Sequence, residues 1–425
     1  MSAAFSLYAG VLESPLLRFN YALSSAVSKS SYRGISQYGP YDKDIFQKSE
    51  LNFAAIYPFV EERSIQRFAQ MFRDGLGHYP GFRRWFRVEL NKFDMYPITA
   101  HLPSYKECLE KVARKDYDLV FVIADGTAQN GSVYSLIKTI LLGNGIPCQV
   151  IRSQTINAPN DQFRWILANL ALSTYAKVGG TPWVIEARHR PEIVLGMSRA
   201  MNRSKKVIVG FTTIFKHNGD FVLSYSKSPV TTWEEYESGL ENLVQEAIIE
   251  YQKKEETPRS LVFHFHKRTG RREINAVKRA IDGLGIDVEY ALLHLNSYSN
   301  YRIFDTTDFT YVPRTGLMVR LSSRQVLLVT DGRRPFSKRP YIGTPSVLEI
   351  TMDKESTMEF KEFHRLVEQV YNFSYVNWRG FNARTVPITI NYSYLIARLV
   401  SSLESIEQWN SIITNGKLIN KAWFL

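Results

Sequence analysis

Apolar and polar positions along this chain follow two different periods, and the switches between them mark its elements. From Leu51, "LNFAAIYPF" is a continuous apolar run, as a strand buried on both faces requires. In "SIQRFAQMFRDGL" the period lengthens, placing Ile65, Phe68 and Phe72 on one helical face with Gly75 near its end. "YKECLEKVARKD" predicts a second helix. "DLVFVIADG" predicts a second buried strand ending in an Asp-Gly turn, with Asp125 read as an ordinary turn residue. "YSLIKTILLGNGIPCQV" (Tyr134 to Val150) predicts a helix, a Gly-Asn-Gly turn and a short strand. "NAPNDQFRWILANLALSTYAKVGG" predicts a long helix capped by Asn160 or Asp161 and closed by Gly179 and Gly180. Strands and helices alternating over roughly 130 residues predict a Rossmann-like parallel sheet.

After "GGTPWVI" the character changes. "EIVLGMS", "KKVIVGFTTIF" and "FVLSYS" predict strands, and Asn218-Gly219 between the last two is a hairpin signal. There follow a helix from Trp233 to Lys253, the strand "LVFHFH" and a basic helix "REINAVKRAIDGLG". The strands "EYALLHL" and "QVLLVT" come next, then a helix around Phe360 to Tyr371, then "VPITINYSYLIARLV" and the tail "KAWFL". An antiparallel hairpin entering a mixed sheet with helices resembles ribonuclease H topology. The expected fold class is therefore α/β, with an N-terminal segment 1–38, a Rossmann-like domain 39–180 and a ribonuclease H-like domain 181–425. The boundary falls near Lys177 to Pro182.

Charge adds a partner class to this outline. The balance of 53 Lys+Arg against 41 Asp+Glu gives +12, which favours a polyanion. Arg203 to Lys206, His266 to Arg272 and Arg333 to Pro340 are basic runs suited to a sequence-independent phosphate track. "FRRWFR" (Phe82 to Arg87) interleaves aromatics so densely that a core edge or a partner-binding segment is expected instead. Two cysteines in unrelated contexts, Cys108 and Cys148, support neither a disulfide framework nor a zinc site. His264 and His266 share a strand face, but no third and fourth ligand stands near them, so both are read as structural. No G-x-G-x-x-G follows an early strand, which disfavours a Rossmann-type nucleotide enzyme. There is no signal-peptide pattern and no apolar run near the ~18–20 residues of a membrane helix. The expectation is a cytoplasmic protein with no direct membrane insertion.

Four motifs then occur in order: "YSLIK…GIPCQ", "YAKVGGTPWVI", "VNWRGFNARTVPITINY" and the terminal "WFL". Together they resemble the short prokaryotic Argonautes, similar to archaeal Piwi proteins built only of a MID and a PIWI domain. A chain of 425 residues leaves no room for a complete PAZ module. The resemblance implies that the MID domain holds a guide 5′-phosphate on Tyr134, Lys138, Gln149 and Lys177, with Arg379 and secondarily Arg384 on the guide backbone. It also implies a Mg²⁺ or Mn²⁺ bridging that phosphate and the C-terminal carboxylate of Leu425, with Gln149 at the metal. The pocket chemistry is sensible by itself. Ammonium and amide donors satisfy phosphate oxygens, a tyrosine ring can stack an unpaired base, and residues at i and i+4 share a helix face.

In the PIWI half the positions that carry metal-binding acids in an active Argonaute are filled by Ser198, His266 and Tyr394. None of these is a carboxylate, the donor Mg²⁺ prefers, so a nuclease-dead domain is expected. The resemblance thus implies a protein that holds a guide, by family habit RNA, and recognises a complementary target, by habit DNA, without cutting it. A separate effector partner, carrying for instance a Sir2, TIR, nuclease or membrane-spanning domain, would act with it in defence against invading DNA. The alternative is an active ribonuclease H-like guided endonuclease, for which carboxylates such as Asp220, Glu273 or Asp308 would have to converge.

Overall fold

Strands of this chain gather into three sheets in a computed structural model that describes residues 8–124, 132–201, 208–226, 230, 232–253, 257–266, 270–333, 344–402, 410, 412 and 415–425. The run read as a buried strand, Glu50–Pro58, lies inside a four-stranded parallel sheet. Glu89–Ile98 pairs on one side of it and Leu119–Ile123 on the other, with Cys148–Ile151 beyond. Helices Glu62–Asp74, Leu102–Ala113, Ser132–Gly143 and Asn160–Lys177 bury their apolar residues in the same core. This is the Rossmann-like half.

Two details differ from the sequence reading. Glu89–Ile98 was not expected, because Lys92, Asp94 and Pro97 interrupt its apolar pattern. Its place at the sheet edge explains this. One side is free of strand pairing, so polar residues and a proline are tolerated there. The long helix is capped by Pro159, in extended conformation, rather than by Asn160 or Asp161. Those two residues occupy its first turn, where the charge of Asp161 suits the positive end of the helix dipole.

The second sheet has nine strands. At one end of it Glu192–Met201, Ile208–Lys216 and Phe221–Ser226 run antiparallel, while Ser260–His266 and Glu289–Asn296 run parallel to the first of these. That order is ribonuclease H-like. Gly219 turns the predicted hairpin at φ +81°, a backbone state that glycine reaches without a Cβ penalty. Helices Trp233–Gln252 and Arg271–Leu284 pack Leu243, Val244 and Val277 against Leu195 and Phe263 on one face. Helices Phe363–Phe373 and Ile388–Ser402 cover the other. The pairing continues through Val347–Met352, Gln325–Val329 and Leu317–Ser322.

Both chain ends are tied into this framework. Ala9–Val11 pairs with Leu317–Ser322, and Leu17–Arg18 joins Val27–Ser28 and Val184–Ile185 in a small sheet. The buried Asp42 carboxylate accepts hydrogen bonds from Tyr175 Oη at 2.6 Å and the Thr181 amide at 2.8 Å. At the other end, Phe424 packs its ring 5.1 Å from Tyr392 and 5.9 Å from Phe221. Ser224 N–H donates to the Ile419 carbonyl at 2.9 Å, and Asn415 Nδ2 donates to the Gly143 carbonyl at 2.9 Å. The tail therefore bridges the two halves. No helix among the described residues is long and apolar enough to cross a membrane.

Candidate nucleic-acid interface

The Ser132–Gly143 helix places Tyr134 and Lys138 one turn apart, and Lys138 Nζ lies 5.5 Å from the centre of the Tyr134 ring. Lys177 is the last residue of the long helix. Its Nζ donates to the Cys148 carbonyl at 3.1 Å and to Gln149 Oε1 at 2.5 Å. Both lysines are buried. Arg379, in the loop between the last two long helices, lies near enough for its charge to act on both ammonium groups. The structure thus assembles all four residues of the expected pocket together with Arg379.

The electrostatics of this pocket are one-sided. Burial, followed by the charges of Lys138 and Arg379, holds Lys177 well below the ordinary lysine range. Burial works against Lys138 too, but Cys148 and Tyr134 more than offset it and raise its value. Two buried ammonium groups and a guanidinium in one pocket suit an anion carrying more than one charge. The tail approaches here as well. Lys421 Cγ lies 3.7 Å from where a Cβ on Gly179 would stand, just past Lys177. Trp423, Phe424 and Leu425 are buried, so the chain end is anchored rather than frayed.

A cavity of about 290 Å³ lies in the other half. Strand alternation explains what points at it. Met197 and Phe265, paired in register, face the Trp233–Gln252 helix side. Gly196 and His264 face Ile388–Ser402, as Thr389 Oγ1, 2.9 Å from His264 Nδ1, shows. The next residues on that face are Ser198 and His266, adjacent on parallel strands. His266 lines the cavity with Tyr394 from the helix, together with Arg384, Asn391, Ser297 and Tyr298. All three positions expected to have lost an acid therefore gather at one end of the sheet, and no Asp or Glu is among the described residues that line the cavity.

His264 is structural. It is fully enclosed, and burial pushes it down to about 3, so it stays neutral. Among the described residues no group of three or more His, Cys, Asp or Glu is placed to hold a metal. The three carboxylates named for a rival cleavage site pair with different cations in different elements. Asp220 lies 3.8 Å from Lys216 in the hairpin, Glu273 pairs with Arg199, and Asp308 pairs with Arg333 at 2.8 Å in a loop. Cys108 and Cys148 are both free.

Of the basic runs, Arg203 to Lys206, Lys267 to Thr269 and Arg334 to Pro340 lie outside the described residues, as does Asp125. "FRRWFR" resolves into a core edge: Phe82, Trp85 and Phe86 are buried while Arg83, Arg84 and Arg87 are exposed. Sequence reasoning passed over a loop rich in exposed rings, from Tyr298 to Tyr311. The signal was there in the aromatic density of "SYSNYRIFDTTDFTY".

Residues 118–404 match the Piwi domain family. The protein argonaute of Cereibacter sphaeroides is 26% identical over 458 residues, a match spanning 96% of this chain and 58% of that protein. The Piwi protein of Archaeoglobus fulgidus is 23% identical over 390 residues, 87% of this chain and 88% of that one. Among solved structures, Clostridium butyricum Argonaute bound to a guide DNA and a 19-mer target DNA matches with a TM-score of 0.76 at 19% identity. That match covers 93% of this chain and 53% of the Clostridium chain. Drosophila Piwi matches with a TM-score of 0.73 at 15% identity, over 98% of this chain and 56% of that one. Against three of these four proteins, this chain spans little more than half their length.

Proposed function

The chain belongs to the Piwi domain family, and from that premise we propose that it binds a guide strand by its 5′-phosphate and recognises a complementary strand without cutting it. In this reading residues 39–180 act as the MID domain and 181–425 as the PIWI domain. The observation that carries it is the pocket in which Lys177, already depressed by burial, faces Lys138 and Arg379. A terminal phosphate there would turn mutual repulsion into charge-assisted hydrogen bonds of ~1.5–3 kcal/mol each. Tyr134 would offer its ring to the first base, and Gln149 its amide to the phosphate. Arg379 and Arg384 would continue the contact along the backbone, and sequence would be read by base pairing alone.

The guide is proposed to be RNA and the target DNA. A Mg²⁺ or Mn²⁺ between the phosphate and the Leu425 carboxylate belongs to the same proposal. The donors suit such an ion in kind, since Gln149 Oε1 and the carboxylate are both hard oxygens. Gln149 Oε1 accepts from Lys177 in this structure, so Gln149 and Leu425 are the groups that would hold such an ion at the expense of that bond. The ion would offset the repulsion between two neighbouring anions.

Absence of cleavage is supported by Ser198, His266 and Tyr394, none of which offers a carboxylate to a metal. Biological output would then come from a separate effector chain, in cytoplasmic defence against invading DNA. Competition between 5′-phosphorylated and 5′-hydroxyl guides tests the pocket. The phosphorylated strand should win by at least tenfold, the value of a single charge-assisted bond at about 1.4 kcal/mol per decade. Equal affinities would end the proposal.

A further inference from the structure

Between the strands Glu289–Asn296 and Leu317–Ser322 runs a loop that turns its rings outward. Phe309 is 92% exposed, Tyr298 68%, Tyr311 59%, Phe304 57% and Tyr301 46%. Single exposed rings need no explanation, but this many in one loop mark an interaction surface.

The loop is ordered by its polar groups. Arg333 pairs with Asp305 at 3.1 Å and with Asp308 at 2.8 Å. Each aspartate also accepts from the backbone two residues on, Thr307 and Thr310. The Asp305 amide donates to the Tyr311 carbonyl at 3.0 Å, which closes the loop. Tyr311 adopts φ +56°, a left-handed state that a bulky residue keeps only where its surroundings impose it. The polar side chains hold the backbone, while the rings face solvent, Tyr298 lying 6.1 Å from the His266 ring.

Position says what that is. Tyr298 lines the 290 Å³ cavity together with Arg384. Arg384 follows in the same loop as Arg379, whose charge reaches Lys138 and Lys177. A strand leaving the phosphate pocket along that loop would arrive at Tyr298, and Tyr301, Phe304 and Phe309 follow Tyr298 in the same exposed loop. We infer that this aromatic loop is a stacking platform for unpaired bases, of RNA or DNA, where a strand runs beyond its paired stretch. The direction of the strand rests on the proposed function. The chemistry does not: proteins that hold single strands combine a cationic track with exposed rings, because every base has a π-face. A protein partner would also accept rings, but continuity with the cavity and its arginine favours a nucleic acid.

The test uses the full chain carrying Tyr301→Ala, Phe304→Ala and Phe309→Ala together. Fluorescence anisotropy would compare guide-loaded protein binding a matched target with and without an unpaired oligothymidine tail, placed at either end. Wild type should hold one tailed target on the order of tenfold more tightly than the blunt one. The alanine variant should lose that gain while keeping its melting temperature and its affinity for the guide. Leucine at the same three positions keeps apolar area without a π-face, and should behave as alanine does. Tyr301→Phe with Phe309→Trp should keep the gain.

No gain in wild type, or an equal gain in the alanine or leucine variant, would overturn the inference. So would a change of oligomeric state with tail binding intact, which would make the loop a protein interface. If guides prove to bind without any phosphate preference, the proposed function fails but the platform remains testable. Free 5′-hydroxyl oligothymidine should still bind wild type more tightly than the alanine variant, and equal binding would refute the platform by itself.

Discussion

Two candidate sites of this molecule, the buried cluster around Lys177 and the cavity around His266, differ in charge. Around Lys177 two buried ammonium groups and the charge of Arg379 converge. Around His266 imidazole, phenol, amide and hydroxyl groups line the cavity beside aliphatic Val347, Leu348, Val386 and Ile390, with one exposed arginine. Burying like charges together destabilises a fold unless an anion compensates them. A cavity of neutral donors carries no such strain and gives a divalent metal nothing to prefer. Under the proposed function the first site would take a charged ligand, and the second would give a strand room without cutting it.

Separating the two halves should have the largest effect. Phe424 joins them by packing on Phe221 and Tyr392 while its segment holds Gly143 through Asn415. Phe424→Ala should cost about 3 kcal/mol of stability, the low end for a large core truncation because the ring lies near the surface. Urea unfolding measures this, and the phosphate preference should weaken in the same variant. A loss below about 1 kcal/mol, the scale of an ordinary surface-weighted change, would mean that the tail is not a strut.

Next comes the charged pocket alone. Lys177→Ala should reduce affinity for 5′-phosphorylated guide by about 1.5–3 kcal/mol, roughly ten- to hundredfold, and leave 5′-hydroxyl guide almost untouched. His266→Ala, in the neutral cavity, should change neither. If both substitutions weakened both guides equally, the contrast between the two sites would be wrong.

Acidity sharpens the same contrast. The Lys177 value is depressed in the unliganded fold, and a bound phosphate should raise it. From the depressed value up to the ordinary lysine value of 10.5, binding must therefore take up a proton, and affinity should fall as pH rises through that window. In that window the unfolded chain holds the lysine proton more tightly than the fold does, so the stability of the unliganded protein should rise with pH. Calorimetry in buffers of different ionisation heat would count the proton, and Lys177→Met should abolish its uptake.

The smallest effect belongs to Arg384, exposed at the mouth of the neutral cavity. Arg384→Ala should lower the slope of log affinity against log salt by roughly one, equally for every guide sequence. A sequence-dependent change would assign it to base contact instead.

How far the sequence carries depends on distance along the chain. Local patterns were readable: the buried strand Glu50–Pro58, the hairpin at Gly219 and the helices behind them all follow from period and turn chemistry. Strands at sheet edges were harder. Glu89–Ile98 carries polar residues because one side lacks a partner strand, and Ala9–Val11 pairs with residues 317–319, far along the chain. The site divides in the same way. Tyr134 and Lys138 share a helix face and could be paired by spacing. Bringing Lys177 and Arg379 to them requires folded contacts that no local pattern encodes, and only family resemblance pointed there. The Tyr298 to Tyr311 loop was missed because aromatic residues ordinarily argue for burial, and only exposure shows otherwise.

The central claim is that this chain holds a guide and its target without cutting. Purified protein would be incubated with 5′-phosphorylated guide and labelled matched target in Mg²⁺ and then in Mn²⁺, and its products resolved alongside retained complex. The account predicts full-length target retained on the protein in a guide-dependent manner. A guide-dependent product of defined length would contradict it.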